Sequence, residues 1–268
     1  MKATAVVVVV LSMLLAGIAT AQTSTPSSQT AGVLYDDFNR VLIDPQKWVP
    51  GSACFTGNSQ EMECVRMIQA GQLLLAHRNF GQRDSDAGSQ FGGAFINFVN
   101  PGAITSITAD IVVKDIEELP CAANPQSGGA VHIDATFFNA GSGNASDDVG
   151  AQFGLSRIAS DPKGQIFVWA QIFQGFNFFG FVPIGDVTVG ETVTVTLSWD
   201  KANHQFIASA SQGVGHTKQI TLPYTFSDTT PATNPAKDFA AINFPSNCTH
   251  NATWVETAAS VDNVLVAH

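Results

Sequence analysis

Glu191-Thr192-Val193-Thr194-Val195-Thr196-Leu197-Ser198-Trp199 alternates apolar and hydroxyl side chains without a break. Val193, Val195, Leu197 and Trp199 fall on one side, and Thr192, Thr194, Thr196 and Ser198 on the other. That is the period-two pattern of a half-buried β-strand. Asp200-Lys201-Ala202-Asn203 then supplies turn chemistry. Gln205-Phe206-Ile207-Ala208-Ser209-Ala210 offers the returning strand of a hairpin.

Working outward, residues 72–77, 104–113, 130–138, 151–158 and 165–173 carry strand patterns separated by Gly, Asn, Asp and Pro clusters. Sustained helical spacing and internal repeats are absent. The expected class is all-β, an antiparallel sandwich or barrel. No Pro/Gly-rich linker interrupts the chain between Leu34 and Val266, so residues 32–268 are expected to form one domain.

The chain has 268 residues, 45% of them apolar and 13% charged. Charged residues usually reach about 25%. Low charge with high apolar content is the reverse of the disordered signature. Lys and Arg number 12 against 22 Asp and Glu, a net charge of -10 that disfavours a phosphate backbone as partner.

Lys2, an apolar run through Leu15 and the small residues of Ala19-Thr20-Ala21 predict a cleaved secretory signal over residues 1–21. Ile18 stands where a lipidated Cys would be. Residues 22–31 form a Ser/Thr/Pro/Gln tether without periodicity, expected to be disordered. No later apolar run is long enough to span a bilayer, so the expectation is a secreted, soluble monomer. Four cysteines in an exported chain favour disulfides, with three possible connectivities. Cys54 and Cys64 flank a short Gly/Ser/Asn-rich loop and are expected to pair, leaving Cys121 with Cys248. No Cys-x-x-Cys suggests zinc.

On residues 165–173, Ile166, Val168, Ala170 and Ile172 suit the space between two sheets. Phe167, Trp169, Gln171 and Phe173 point the other way. Rings alternating with amides make a sugar platform, with C–H faces on the ring and hydroxyls on the amides. The same parity is equally that of a sheet buried on both faces. His132 and Asp134 share a face two residues apart, as a hydroxyl-binding or proton-moving pair or as a satisfied rim contact. Gln152 and Ser156 beside Gly154 form a small polar floor. Trp169 is expected beside Asp134 or Gln152 across strands.

Three segments carry a family resemblance: Asp36-Asp37-Phe38-Asn39 followed by Ile43-Asp44-Pro45-Gln46-Lys47-Trp48; Ala70-Gly71-Gln72-Leu73-Leu74-Leu75; and Val261-Asp262-Asn263-Val264-Leu265-Val266. Together they resemble the ends of concanavalin A-like lectin/glucanase domains, and the last is similar to the closing V-D-Y-V-R-V strand of family-16 glycoside hydrolases. The resemblance implies a two-sheet jelly roll with glycan chemistry on its concave face. It also implies a structural Ca²⁺ on the convex side, at positions matching Asp37, Gly71 and Asp262, with hard oxygen ligands suited to that ion. The family's enzymes carry E-x-D-x-x-E or E-x-D-x-E on one concave strand, and this sequence lacks it. Asp115-Ile116-Glu117-Glu118 has another spacing and, running into Leu119-Pro120-Cys121, is expected to be a solvated turn. The alginate-lyase branch uses Gln-Ile-His, where Gln171-Ile172-Phe173 has Phe.

The reading is a secreted, non-catalytic carbohydrate-binding or surface-associated jelly roll. One alternative is a divergent carbohydrate-active enzyme using His132 and Asp134 beside Trp169, and another is a structural extracellular domain without a ligand.

Overall fold

The alternating Thr/Val run folds as an inner strand of a sheet. In the computed structural model, which describes residues 32–49, 54–56, 62–80, 92–119, 127–213, 216–244 and 253–268, Val193, Val195 and Leu197 are buried while Thr192 and Thr194 are exposed. The signal over 1–21, the tether over 22–31 and the Cys121–Cys248 pairing lie outside the described residues.

In chain order the strands are β1 (Val33–Asp36), β2 (Cys54–Thr56), β3 (Met62–Gln69), β4 (Gln72–Phe80), β5 (Gly92–Asn97), β6 (Ser106–Leu119), β7 (Gly128–Asn139) and β8 (Asp148–Ile158). There follow β9 (Gln165–Gln174), β10 (Asn177–Thr188), β11 (Thr192–Asp200), β12 (Gln205–Ser211), β13 (Thr217–Pro223), β14 (Thr230–Pro231), β15 (Lys237–Phe244) and β16 (Trp254–Ala267). They pair antiparallel into two sheets. Sheet I runs β13-β12-β11-β6-β16-β4-β3 with β1 on β16, and sheet II runs β10-β9-β8-β7-β15-β5-β2 with β14 on β7. The protein is an all-β, two-sheet antiparallel sandwich of the jelly-roll kind. Among the described residues no helix is long and apolar enough to cross a membrane.

Period-two burial makes the core. Sheet I contributes Leu73, Leu75, Ile107, Ala109, Ile111, Leu197 and Val261, and sheet II contributes Val131, Ile133, Phe153, Leu155, Val168, Ala170 and Phe239. A one-residue slip of any of these strands would turn its aliphatic row outward, so the buried face fixes the register. The β11–β12 hairpin closes as its turn residues demand. Asp200 accepts from Asn203 Nδ2 at 2.7 Å and Gln205 Nε2 at 2.9 Å, and His204 takes φ +50°.

Asp115-Ile116-Glu117-Glu118 is not a turn but the end of β6. The long partner β16 pairs with it as far as Trp254 opposite Leu119, with a register shift between Ala258 and Ala259. Glu118 tolerates this position because Arg157 meets it at 2.6 Å, the two side chains being only 6% and 5% exposed.

At the chain's start Trp48 is fully buried among Phe38, Phe98 and Phe239, and its Nε1 donates to Asp36 Oδ2 at 2.7 Å. The Cys54–Cys64 disulfide, with Cα atoms 6.2 Å apart, joins β2 at the edge of sheet II to β3 at the edge of sheet I.

Candidate functional site

The outer face of sheet II is set by the residues its core leaves over. Because Val131, Ile133, Phe153, Leu155, Val168, Ala170, Phe239 and Ala241 point inward, their neighbours must point outward. The ladder lines those neighbours up in rungs. Asp238, Asp134, Gln152 and Gln171 lie directly opposite one another across β15, β7, β8 and β9, and Ala240, His132, Gly154 and Trp169 form the next rung. Phe167, Trp169, Gln171, Gln152, His132 and Asp134, singled out from the sequence, therefore share one face of adjacent strands.

Trp169 does not sit beside Asp134 or Gln152. Its partner on β8 is Gly154, since the register sets Gln152 against Gln171. That glycine is required by the indole. A Cβ there would lie 2.2 Å from Trp169 Cζ2, and one at Gly150 would lie 2.3 Å from Phe173 Cζ. Both rings are thus laid across bare backbone of the neighbouring strand. Trp169 Nε1 donates to Ser156 Oγ at 2.8 Å, which fixes the indole in its plane. Trp169, Phe167 and Phe173 are half-buried, outside the sandwich core. From β10, Phe181 comes within 5.5 Å of Trp169 and 6.1 Å of Phe167, and Phe178 within 6.2 Å of Phe173. Phe178 and Phe181 are more than half exposed, so the aromatic stripe reaches the sheet's edge.

The amides connect the stripe to the acids. Gln171 Nε2 donates to Gln152 Oε1 at 2.6 Å, and Gln152 Nε2 lies 2.7 Å from His132 Nδ1. The same Nδ1 is 3.1 Å from Asp134 Oδ1. One ring nitrogen cannot accept from Gln152 and donate to Asp134 at once, so the proton's place selects the partner. Burial by itself would lower the His132 pKa, but the Asp134 and Asp238 carboxylates raise it.

Asp238 was not visible in the sequence as a site residue. Burial, and then the facing Asp134 carboxylate, hold its pKa well above the ordinary carboxylate range, with His132 opposing. Its Oδ1 and His132 Nε2 are both buried without a hydrogen-bond partner. The signal was present in Lys237-Asp238-Phe239-Ala240-Ala241-Ile242, where Phe239 and Ala241 alternate with the outward positions. The β10 aromatics were missed because bulges between Phe179 and Val182 and between Pro183 and Gly185 break the alternation.

Around β1, the β3–β4 turn and β16 of sheet I, the three positions matched to a calcium site come together. Asn39 donates to the Asp37 carboxylate at 2.9 Å, and Asn39 Oδ1 lies 3.4 Å from where a Cβ on Gly71 (φ +74°) would stand. Asp262 has its pKa raised by burial and by the charges of Asp110 and Asp37, against hydrogen bonds from Asn263 and Gln72. Carboxylates crowded this way beside a glycine turn offer the hard oxygen ligands that such a cation takes. Among the described residues no three His, Cys, Asp or Glu side chains gather as a metal site. An ion here would therefore take most of its oxygens from main chain and water.

No protein-family model matches the chain, and no curated protein matches it. Solved structures similar in fold include the alginate lyase of Klebsiella pneumoniae, at TM-score 0.45 and 9% identity over 75% of this chain and 82% of that one. A protein described as a beta-glucanase from Mycobacterium abscessus is similar at TM-score 0.46 and 11% identity, over 87% and 98%. Lectin II from Ulex europaeus is similar at TM-score 0.38 and 11% identity, over 81% and 95%. The likeness concerns the fold alone.

Proposed function

We propose that this is an exported carbohydrate-binding protein whose platform is the outer face of sheet II. The observation that carries the reading is the pair of rings packed over glycines of the neighbouring strand, Trp169 on Gly154 and Phe173 on Gly150. A side chain meant for a core interdigitates with its neighbours, whereas a ring packed onto backbone offers its other face as a surface. The C–H face of a pyranose stacks on such a surface. Hydroxyls around its rim then find the half-buried Gln171 amide, itself held by Gln152, and the Asp134 carboxylate, which is 28% exposed. Asp37, Gly71 and Asp262 would hold a structural Ca²⁺ away from this face, bracing the fold.

The test is a screen of soluble oligosaccharides and polysaccharides by tryptophan fluorescence, with calcium and with EDTA. Binding should quench or shift the emission in the wild type and not in Trp169→Ala. A wild type whose emission no glycan perturbs, in either buffer, would count against the platform.

A further inference from the structure

The contest for His132 Nδ1 reaches the surface. Gln152 Nε2 lies 2.7 Å from that nitrogen and Asp134 Oδ1 lies 3.1 Å from it. A bare Nδ1 accepts from the amide and repels the carboxylate, whereas a protonated one donates to the carboxylate and repels the amide N–H. Gln152 Oε1 in turn accepts from Gln171 Nε2 at 2.6 Å, so the choice travels along a chain. With Nδ1 bare, donation runs from Gln171 to Gln152 to His132, and Gln171 Oε1 is left to meet a ligand. With Nδ1 protonated, Gln152 must turn its amide over to keep a partner. Gln171 must then turn too, because two N–H groups cannot bond each other, and its free end becomes a donor. His132 and Gln152 are buried and Gln171 is half-buried, two residues from Trp169 on the same face of β9. A proton on a covered ring thus decides what the outer end of the chain offers.

The charges around the ring come from two strands. Asp134 faces it from its own strand β7, and Asp238 stands opposite Asp134 on β15. The positions of β8 and β9 beside the ring are Gln152, Gly154, Trp169 and Gln171, none of them charged. Lys237 and Arg157 have the opposite parity, Lys237 bonded to the Pro101 and Thr136 carbonyls and Arg157 to Glu118. Burial alone would lower the His132 pKa, and the Asp134 and Asp238 charges bring it above the ordinary 6.5.

Resting on the glycan-binding reading above, we propose that His132 is a positioning residue through which glycan and proton bind in competition, and that the glycan is a neutral one. The neutral ring leaves the Asp134 carboxylate free to accept from a sugar hydroxyl, a charge-assisted bond. It also presents Gln171 Oε1 as a second acceptor on the same rung. The imidazolium takes Asp134 for itself and turns Gln171 into a donor. A sugar that binds the first arrangement must displace the proton, so its affinity falls as the pH drops through the titration of the ring. Two outward acceptors, one of them a carboxylate, suit the hydroxyls of an uncharged chain and repel the carboxylates of a polyuronate.

The experiment uses the full mature chain with three neutral soluble probes, a mixed-linkage β-glucan, a xylan and a galactomannan, and with polygalacturonate as an acidic one. Tryptophan emission gives the Kd between pH 5.5 and pH 9. The expected result is a neutral glycan bound about tenfold more tightly at pH 9 than at pH 5.5, an ordinary size for a coupling between two sites. Calorimetry near the midpoint should give enthalpies that differ between phosphate and Tris, because binding releases a proton to the buffer. His132→Gln should bind with one affinity across the range. Asp238→Asn should keep the dependence with its midpoint moved to lower pH. Without glycan, imidazole nitrogen NMR should show the His132 Nδ1 bare at pH 9 and protonated at pH 5.5. The coupling is overturned by a glycan that binds equally well across the range, by an affinity that rises toward acid pH, by a ring that does not titrate, or by a His132→Gln variant that keeps the wild-type dependence. The first three outcomes are read on the wild type, so they stand even where the variant fails to fold. Polygalacturonate bound more tightly than every neutral probe would overturn the assignment of glycan class. If no probe binds at any pH, the platform reading fails first and the coupling with it.

Discussion

Gly154 tests the ring placement without touching the ring. A methyl group there would meet Trp169 2.2 Å from Cζ2, far inside contact distance, so the indole must lift or rotate in Gly154→Ala. The expected outcome is a shifted tryptophan emission and at least tenfold weaker glycan binding, with the melting point little changed because the ring sits outside the core. Binding that matches the wild type would show that glycan does not lie on the indole. Lys237 makes a different residue-scale statement. Its ammonium is buried, donates to Thr136 O at 2.7 Å and Pro101 O at 2.9 Å, and stands 4.5 Å from the Phe137 ring centre, with no carboxylate among these partners. Burial lowers its pKa to about 7 from the ordinary 10.5. Between those values the unfolded chain holds the proton and the folded one has lost it, so stability rises with pH across that window and flattens above it. Each unit of depression corresponds to about 1.4 kcal/mol. Denaturant melts at pH 7 and pH 9.5 should show this gain in the wild type, and Lys237→Met should remove it. A wild type with equal stability at both pH values would contradict the assignment.

At the scale of elements, the strands visible in the sequence are those with uninterrupted alternation and two covered neighbours. β11 emerged as Thr192–Asp200 against an expected 191–199, and β9 as Gln165–Gln174 against 165–173. Edge and bulged strands did not announce themselves. β10 breaks register twice, and β3 alternates half-buried Cys64, Arg66 and Ile68 with exposed Glu63, Val65 and Met67, with Met62 exposed on the first face, so its apolar residues give no consistent face. β15 hid because it is buried on both sides along most of its length, which erases the polar half of the pattern. Asp238 was lost with it, and a site built from cross-strand neighbours is legible only once the register is known. The residues of β7, β8 and β9 were found because each strand's own parity placed them. The disulfide belongs to this scale too, since β2 and β3 are edge strands of different sheets and Cys54–Cys64 is their covalent link. Closing so short a loop is worth about 2–3 kcal/mol in the chain-entropy model. The Cys54→Ser, Cys64→Ser double variant should therefore melt lower by roughly 4–10 °C. Hydrogen exchange should quicken in β2 and β3 while β7 and β8 stay protected. Uniform acceleration across both sheets would instead place the bridge in the global unfolding unit.

For the whole molecule, the corner formed by Asp37, Gly71 and Asp262 is where distant parts of the chain meet. Asp37 follows β1, Gly71 lies in the β3–β4 turn, and Asp262 stands in β16 just ahead of Asn263 at φ +49°. Asn263 Nδ2 donates to Asp110 Oδ2 at 2.9 Å, so β6 joins the same corner. Without a cation the Asp110 and Asp37 charges add to burial in raising the Asp262 pKa, while hydrogen bonds from Asn39 lower that of Asp37. An ion bound here would clamp the first strand, the β3–β4 hairpin and the closing strand of one sheet, and so act on global stability rather than on the platform across the sandwich. A ligand that binds only the folded state adds about 2.7 kcal/mol at a hundredfold excess over its Kd. Calcium should accordingly raise the wild-type melting point and EDTA should reverse the gain. Asp262→Ala should melt at one temperature in both buffers, close to that of the calcium-free wild type or above it, because removing one carboxylate also relieves the repulsion. Glycan binding by Trp169 should survive in the variant, since the corner belongs to sheet I and the platform to sheet II. A wild-type melting point indifferent to both calcium and EDTA would leave the acids as a solvated rim and dismiss the ion.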